Sequence, residues 1–363
     1  MEKQSIKAAI LADSIERIGN NRITTWQLTY PRFIHSEIMT HRVLSKNSAS
    51  SRAIPFNKMV EQVENDPFIP IKWMKDHKGM QGEEFITKES HVQDCINAWL
   101  EARDYAVHKS SELNGCGEVT KQICNRLLEP FMWHTIICTG TEWENFFALR
   151  AHPMAEIHLQ DLAYKMLDVY NASIPKELKE GEWHIPFENE IDIYSKEFKE
   201  ACNIKDYTVT GIFDSETMSI KDSEIIILNK IKISTAKCAQ VSYMKFGSDN
   251  YEDLIDLHNS LFIRPYEGKR GIREINDPIH ASPAEHIAQA MTELEYYSFI
   301  KGIQPTSIEK EGDIFNMERY CTGNWKENPT PDRYGWCHNL RGFKSYRSML
   351  PNENSTDSRV IKK

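Results

Sequence analysis

Between about residues 175 and 222 the chain becomes rich in Lys, Glu, Asp and Ser and loses steady hydrophobic periodicity, while patterned sequence lies on both sides. Such a stretch reads as a linker and limits what the flanking segments can pack against. With 363 residues to place, a prior of about 150 residues per domain gives two units. The predicted division is a first unit over 1–190, a polar linker over 191–222 and a second unit over 223–363. Hydrophobic residues make up 40% of the chain and charged residues 27%, enough apolar material for a sizeable core.

The formal net charge of −9 argues against polymeric nucleic acid as a partner. Such a partner calls for a broad basic surface, whereas a single nucleotide needs only a few local arginines. Apolar runs such as Ile225–Leu228 and Ile136–Cys138 fall far short of the ~20 residues of a membrane span, and the N-terminus lacks an apolar signal core. A cytoplasmic protein without a membrane partner is expected. The eight cysteines are scattered with no C-x-x-C pair. That speaks against a zinc ribbon or redox motif and for reduced, mainly buried thiols; no metal site is expected.

Ile23–Tyr30 carries β-branched and aromatic residues in partial alternation and stops at Pro31, which predicts a strand followed by a helix with the proline in its first turn. Phe33, Ile34 and Ile38 continue at helical spacing, so His41 and Arg42 fall near that helix's C-terminal end. Residues 55–85, punctuated by Pro55, Pro67, Pro70, Gly79 and Gly82, read as a long surface loop. Helices are expected over about 88–113 and 118–128, and a strand over Trp133–Thr139. A helix should open at a capping box, Thr141–Glu144, and run to Arg150, with another running from Pro153 to about Tyr170. In the second unit Ile225–Tyr243 and Tyr251–Phe262 carry their own apolar pattern. Tyr334–Leu350 looks helical, with Trp336, Leu340, Phe343 and Arg347 on one face. Together these predict an α+β fold with an antiparallel or mixed sheet.

The segment Thr40-His-Arg-Val-Leu-Ser-Lys-Asn-Ser-Ala-Ser-Ser-Arg52 holds the densest chemistry. A helix end delivers His41 and Arg42, and a turn of small hydroxyl residues delivers Ser50 and Arg52. Backbone amides, hydroxyls and a guanidinium fork can together hold phosphate oxygens. A helix C-terminus with a favourable cation and a polar loop behind it accounts for the same residues.

This stretch resembles the signature of the flavin-dependent thymidylate synthase (ThyX) family: R-H-R, seven residues, S, and two residues later R. His41-Arg42, seven residues, Ser50 and Arg52 reproduce all but the first Arg, which is Thr40 here. The resemblance continues through Ile123-Cys-Asn-Arg-Leu-Leu-Glu-Pro130, with Arg126 shortly before a proline, and through Glu144-Asn-Phe-Phe-Ala-Leu-Arg150, which matches N-F-x-x-L-R. The family's A-R-V-S and H-x-[ST]-P-F-E-H elements, which precede R-H-R in its members, occur here in the C-terminal half, as Ala239-Gln-Val-Ser242 and His280-Ala-Ser-Pro-Ala-Glu-His286. Arg347, four residues and Asn352-Glu353 echo Arg42, four residues and Asn47-Ser48, which suggests a pseudo-repeat of the central helix and turn. The resemblance implies a ThyX-like fold made of two related halves.

It also implies chemistry. NADPH would reduce FAD, the flavin would give a hydride to C6 of a uracil ring, and methylenetetrahydrofolate would supply the carbon at C5, converting dUMP to dTMP. Ser50, Arg52 and Arg126 would hold the nucleotide phosphate. Arg150 would stabilise charge on the pyrimidine and Glu353 would lie near it. His41, Arg42, Asn145, Ser242, His280, Ser282 and Arg347 would contact the cofactor. Glu37 stands where a Gln often contacts the nucleotide, and Met154 where a His often lies near the flavin. Hydroxymethylation of dUMP, or action on dCMP, is therefore an open alternative, as is a flavin- and nucleotide-binding protein without turnover. The long, rearranged form resembles bacteriophage versions, which places the expected cytoplasm in an infected bacterium. Family sites form between subunits, so a homo-oligomer, dimer or tetramer, is expected.

Overall fold

Alternating apolar and polar residues in the first thirty positions pair two long strands, β1 (Lys7–Glu16) and β2 (Arg22–Pro31), as an antiparallel ladder from Lys7↔Thr29 to Ile15↔Arg22. The computed structural model describes residues 3–79, 82, 84–204, 220–243, 250–275, 277, 279–298 and 334–350. After β2 a single 3-10 turn leads into α1 (His35–Met39), then β3 (Ser45–Ser48), α2 (Phe56–Asn65), α3 (Glu89–Gly115), α4 (Lys121–Arg126) and β4 (Trp133–Gly140). There follow α5 (Glu144–Arg150), α6 (Ile157–Ala172), β5 (Lys176–Leu178), β6 (Trp183–His184), α7 (Lys196–Ala201), α8 (Ile220–Gln240) and α9 (Tyr251–Phe262). The remaining elements are β7 (Tyr266–Gly268), β8 (Gly271–Arg273), β9 (Ala288–Ala290), α10 (Glu293–Ser298), β10 (Trp336–Cys337), β11 (Leu340–Arg341) and β12 (Phe343–Ser345). The fold is α+β, around a mixed five-stranded sheet in the order β3-β4-β2-β1-β5.

Successive strand side chains point to opposite faces, so β2 and β4 each serve two cores. Trp26, Leu28 and Tyr30, with Ile136 and Cys138, pack beneath α5 and α6 against Phe146, Leu159, Leu162 and Met166. The opposite face is covered by the C-terminal half: Ile137 packs with Ile231, Cys238, Val241 and Ile287, and Ile23 with Ala288, Leu340 and Phe343. A hydrogen-bonded chain crosses that covered face. His184 bonds Ser14 through Nδ1 at 2.9 Å and Thr25 through Nε2 at 2.8 Å. Thr25 meets Thr139 at 2.7 Å, and Thr139 meets His286 Nδ1 at 2.9 Å.

The polar stretch is therefore no spacer where it is described. β5 pairs in parallel with β1, and β6 joins β9 and β12 in a second, three-stranded sheet. Within the expected 191–222 linker, α7 buries Phe198 among Ile191, Cys202, Ile233, Leu254 and Leu257. Charged residues face solvent while a few apolar ones anchor the segment, so average composition hid the packing. Phe198→Ala is expected to cost about 3–5 kcal/mol, read as a lowered midpoint in urea; an unchanged midpoint would restore the linker reading. Because the two halves share cores, they do not form separate units at the expected boundary.

Other expectations also needed correction. Residues 55–85 contain α2, whose Phe56, Met59 and Val63 form one buried face against α3 and α4, with Pro55 as the helix N-cap. The Thr141 capping box does not form, because the Thr141 hydroxyl accepts the Arg341 N–H at 3.1 Å and leaves α5 without a side-chain cap. Instead of starting at Pro153, α6 starts after Glu156, whose carboxylate accepts the His158 and Leu159 amides. Tyr334–Leu350 is not a helix: it makes β10, β11, β12 and a 3-10 turn. Positive φ at Gly335 and Gly342 reverses the chain there, so the helix-and-turn pseudo-repeat is not formed over these residues. Asn352 and Glu353 lie outside the described residues.

Candidate functional site

The edge strand β3, inside the signature segment, organises the site by alternation. Opposite Cys138, Lys46 points to the α5 side. There its ammonium donates to the His41 and Leu44 carbonyls. Asn47 points the other way, donating to the Cys238 carbonyl at 2.7 Å and accepting from Ser242 Oγ at 3.4 Å. Past the strand, the Ser50 N–H donates to the Ser242 carbonyl at 3.1 Å. Through Asn47 and Ser50 these contacts join the two sequence motifs within one chain.

On the α5 side, Arg150 Nε donates to His41 Nε2 at 3.0 Å. The His41 ring lies edge-on to Phe146. Burial lowers the His41 pKa to about 4, with Arg150 and Lys46 pushing the same way, so the ring stays neutral and accepts. With Nε committed, the planar guanidinium is held in one orientation. Among the described residues its terminal nitrogens make no salt bridge. Glu37 is nearby: burial raises its pKa, Glu156 raises it further, and Arg150 and His158 oppose the rise.

On the second side, the Ser50 hydroxyl accepts the Arg52 N–H at 3.3 Å, and Ala53 and Ile54 close on the Ser50 carbonyl. Buried Asn125 on α4 donates to the Ser51 and Ile54 carbonyls, locking this turn. Exposed Arg52 lies close enough to His280 to push its pKa down, after burial, Arg264 and Arg273. His280 itself is tied by its N–H to the Leu261 carbonyl at 3.3 Å.

The structure thus gathers Ser50, Arg52, Ser242 and His280 at one seam, and His41 with Arg150 on the other side of the same strand. Arg347 pairs with Glu285 of the 3-10 turn Ser282–His286, and that carboxylate also acts on Lys46. Arg126, one residue from the Asn125 anchor, is exposed and pairs with Glu129 at 3.5 Å. Arg42, Asn145 and Ser282 are exposed. Sequence reasoning missed Lys46, which lies inside the signature, and Arg264 and Arg273, which belong to the basic run Arg264-Pro-Tyr-Glu-Gly-Lys-Arg-Gly-Ile-Arg273. Among the described residues no cluster of His, Cys, Asp or Glu could hold a metal ion, and no helix is long and apolar enough to cross a membrane.

No protein-family model matches the chain, and no curated protein matches it. Solved structures of the UMP/dUMP methylase PolB from Streptomyces cacaoi, bound with 5-Br UMP and with 5-Br dUMP, resemble part of it. Each is 13% identical with a TM-score of 0.39, covering 47% of this chain and 90% or 92% of the other. A likeness at this level is partial and carries no weight for function.

Proposed function

We propose that this protein is a flavin-dependent enzyme of the thymidylate synthase type that methylates dUMP. The observation that carries the reading is the Ser50–Ser242 backbone bond. It brings the nucleotide-type turn and the flavin-type segments, separated by nearly two hundred residues, to one seam of a single chain. Hydroxyls, an imidazole and guanidinium groups at that seam form a donor set suited to phosphate oxygens. FAD would be held by Ser242, His280 and Ser282; when reduced by NADPH it supplies a hydride, and methylenetetrahydrofolate supplies the carbon.

The chain's own residues position and stabilise. Ser50 and Arg52 hold the nucleotide phosphate on a turn that Asn125 keeps rigid. Arg150, oriented by neutral His41, presents its fork to the pyrimidine oxygen on which negative charge develops. Glu353 and Arg347 complete the assignment carried by the sequence resemblance. The test is incubation of the FAD-loaded protein with methylenetetrahydrofolate, NADPH and either dUMP or dCMP, followed by mass measurement of the nucleotide. A gain of one methyl on dUMP is the expected result. No change in either nucleotide, with flavin bound and reducible, overturns the enzymatic reading.

Glu37 favours a second reading, action on dCMP. A carboxylate accepts from the exocyclic amine of cytosine, whereas uracil offers a carbonyl there. Glu37→Gln is expected to shift the dUMP-to-dCMP ratio of kcat/KM toward dUMP by about tenfold, measured by direct competition. An unchanged ratio removes Glu37 from base selection.

A further inference from the structure

We propose that the Lys46 ammonium, with the Asn339 amide of the C-terminal half, clamps the His41–Leu44 turn and thereby aims the Arg150 guanidinium, which makes Lys46 a positioning residue. The proposal rests on the assignment of Arg150 to the pyrimidine oxygen above and adds two residues that the motif assignments leave unused. Lys46 projects onto the sheet face that carries Leu28, Ile136 and Cys138. An apolar side chain would suit that face, and a lysine is drawn into one only where its donors are satisfied. Burial lowers the Lys46 pKa, opposed by Cys138 and Glu285.

The ammonium's bonds go to the turn. Nζ donates to the His41 carbonyl and, at 3.1 Å, to the Leu44 carbonyl; among the described residues no carboxylate forms a salt bridge with it. The His41 carbonyl also accepts the Leu44 N–H at 3.3 Å, which closes the turn. The Val43 carbonyl is held from the other half. It accepts from Asn339 Nδ2 at 3.0 Å, and the same amide nitrogen reaches Ser45 Oγ at 2.9 Å. Asn339 stands in the two-residue turn between β10 and β11. The carbonyls of His41, Val43 and Leu44 are thus held by two side chains, one from each half of the chain.

A turn held this way fixes the His41 backbone, and edge-on packing against Phe146 fixes the ring. The Nε2 lone pair then points to one place, where Arg150 Nε donates at 3.0 Å. Among the described residues that is the guanidinium's one hydrogen bond, so slack in the turn passes directly to the fork. A misplacement of about 1 Å at a reacting centre can cost about a hundredfold in rate. An ammonium suits the task, because charge-assisted bonds are roughly twice as strong as neutral ones.

The test uses the full chain with isotope-labelled arginine. Hydrogen exchange of the Arg150 Nε–H, followed by NMR, reads the aim of the fork without turnover, and Arg150→Met identifies its signal. Lys46→Met, which keeps the bulk of the stem, is expected to speed that exchange at least about tenfold. It should also lower kcat by about tenfold, with nucleotide KM within about twofold. In an Arg150→Met background, Lys46→Met should change kcat by less than about twofold, because a residue that acts through Arg150 has nothing left to aim. A general structural role would lower kcat equally in both backgrounds. Thermal melts establish that the fold is kept; if Lys46→Met does not fold, Asn339→Ala replaces it, with exchange expected to speed about threefold. Unchanged exchange in the folded variant, or equal losses of kcat in the two backgrounds, overturns the proposal. Faster exchange in a protein that turns over neither nucleotide would fault the enzymatic reading alone. Turnover with exchange unchanged would fault this proposal alone.

Discussion

Acidification from about pH 7.5 to about pH 5 is expected to remove roughly 6 kcal/mol of folding stability, enough to unfold much of the protein. Burial lowers the pKa of His184 and His286 to about 3 and that of His258 to about 4. These rings are 0%, 0% and 2% exposed. In the unfolded chain each returns to about 6.5. Between those values the unfolded state binds more protons than the folded one, so stability falls as pH drops below about 6.5. At pH 5 each ring contributes roughly 2 kcal/mol of that loss. His134, also buried and held well below its ordinary value by burial and then Arg32, adds in the same direction. Total stability is typically about 5–15 kcal/mol.

Structure explains why relief by local rearrangement is limited. His184 and His286 sit at two positions of the chain of hydroxyls and imidazoles between the sheet and the C-terminal half, and His286 Nε2 is buried without a partner. A second proton on His286 would place a charge in that apolar layer. Urea unfolding followed by tryptophan fluorescence at several pH values checks this. A midpoint constant from pH 7.5 to pH 5 would show that the rings are not excluded from protonation.

Arg150→Met is expected to lower kcat by about a hundredfold to a thousandfold, as loss of a preorganised charge-stabilising donor does. Nucleotide KM should change little, because the phosphate contacts proposed above are Ser50 and Arg52, not Arg150. Arg150→Lys should recover little, since an ammonium cannot reproduce a fork fixed through Nε on His41. His41→Phe keeps a ring against Phe146 but removes the acceptor, so a smaller loss in kcat is expected. Steady-state kinetics on folded variants separates these outcomes. Activity of Arg150→Met within about threefold of the parent would remove Arg150 from the chemistry.

Local sequence made several elements readable. β2, β4, α3 and α9 follow from alternation or helical spacing over eight or more residues, long enough for one period to dominate. The end of α1 was placed near His41, but β3, which carries Lys46 and Asn47, was not foreseen and its residues were read as part of a turn. Short elements were misread. Trp336, Leu340 and Phe343 satisfy a helical period, yet they come from three different short strands, with Leu340 and Phe343 buried and Trp336 half-buried, because positive φ at His338 and Gly342 turns the chain between them. α2 was lost among prolines and glycines counted over a wider window, and α7 among charges.

The sequence by itself determined which residues are candidates for chemistry, in what order they stand, and the period of the long elements, since these depend on residue type and near neighbours. Only the tertiary structure decided that the polar middle is woven into the sheets and that the halves share cores. It also decided that the Ser50 turn docks on Ser242 and that Arg150 is bonded to His41. Those outcomes depend on long-range strand pairing and on burial of a sheet from both faces, which short-range spacing does not encode.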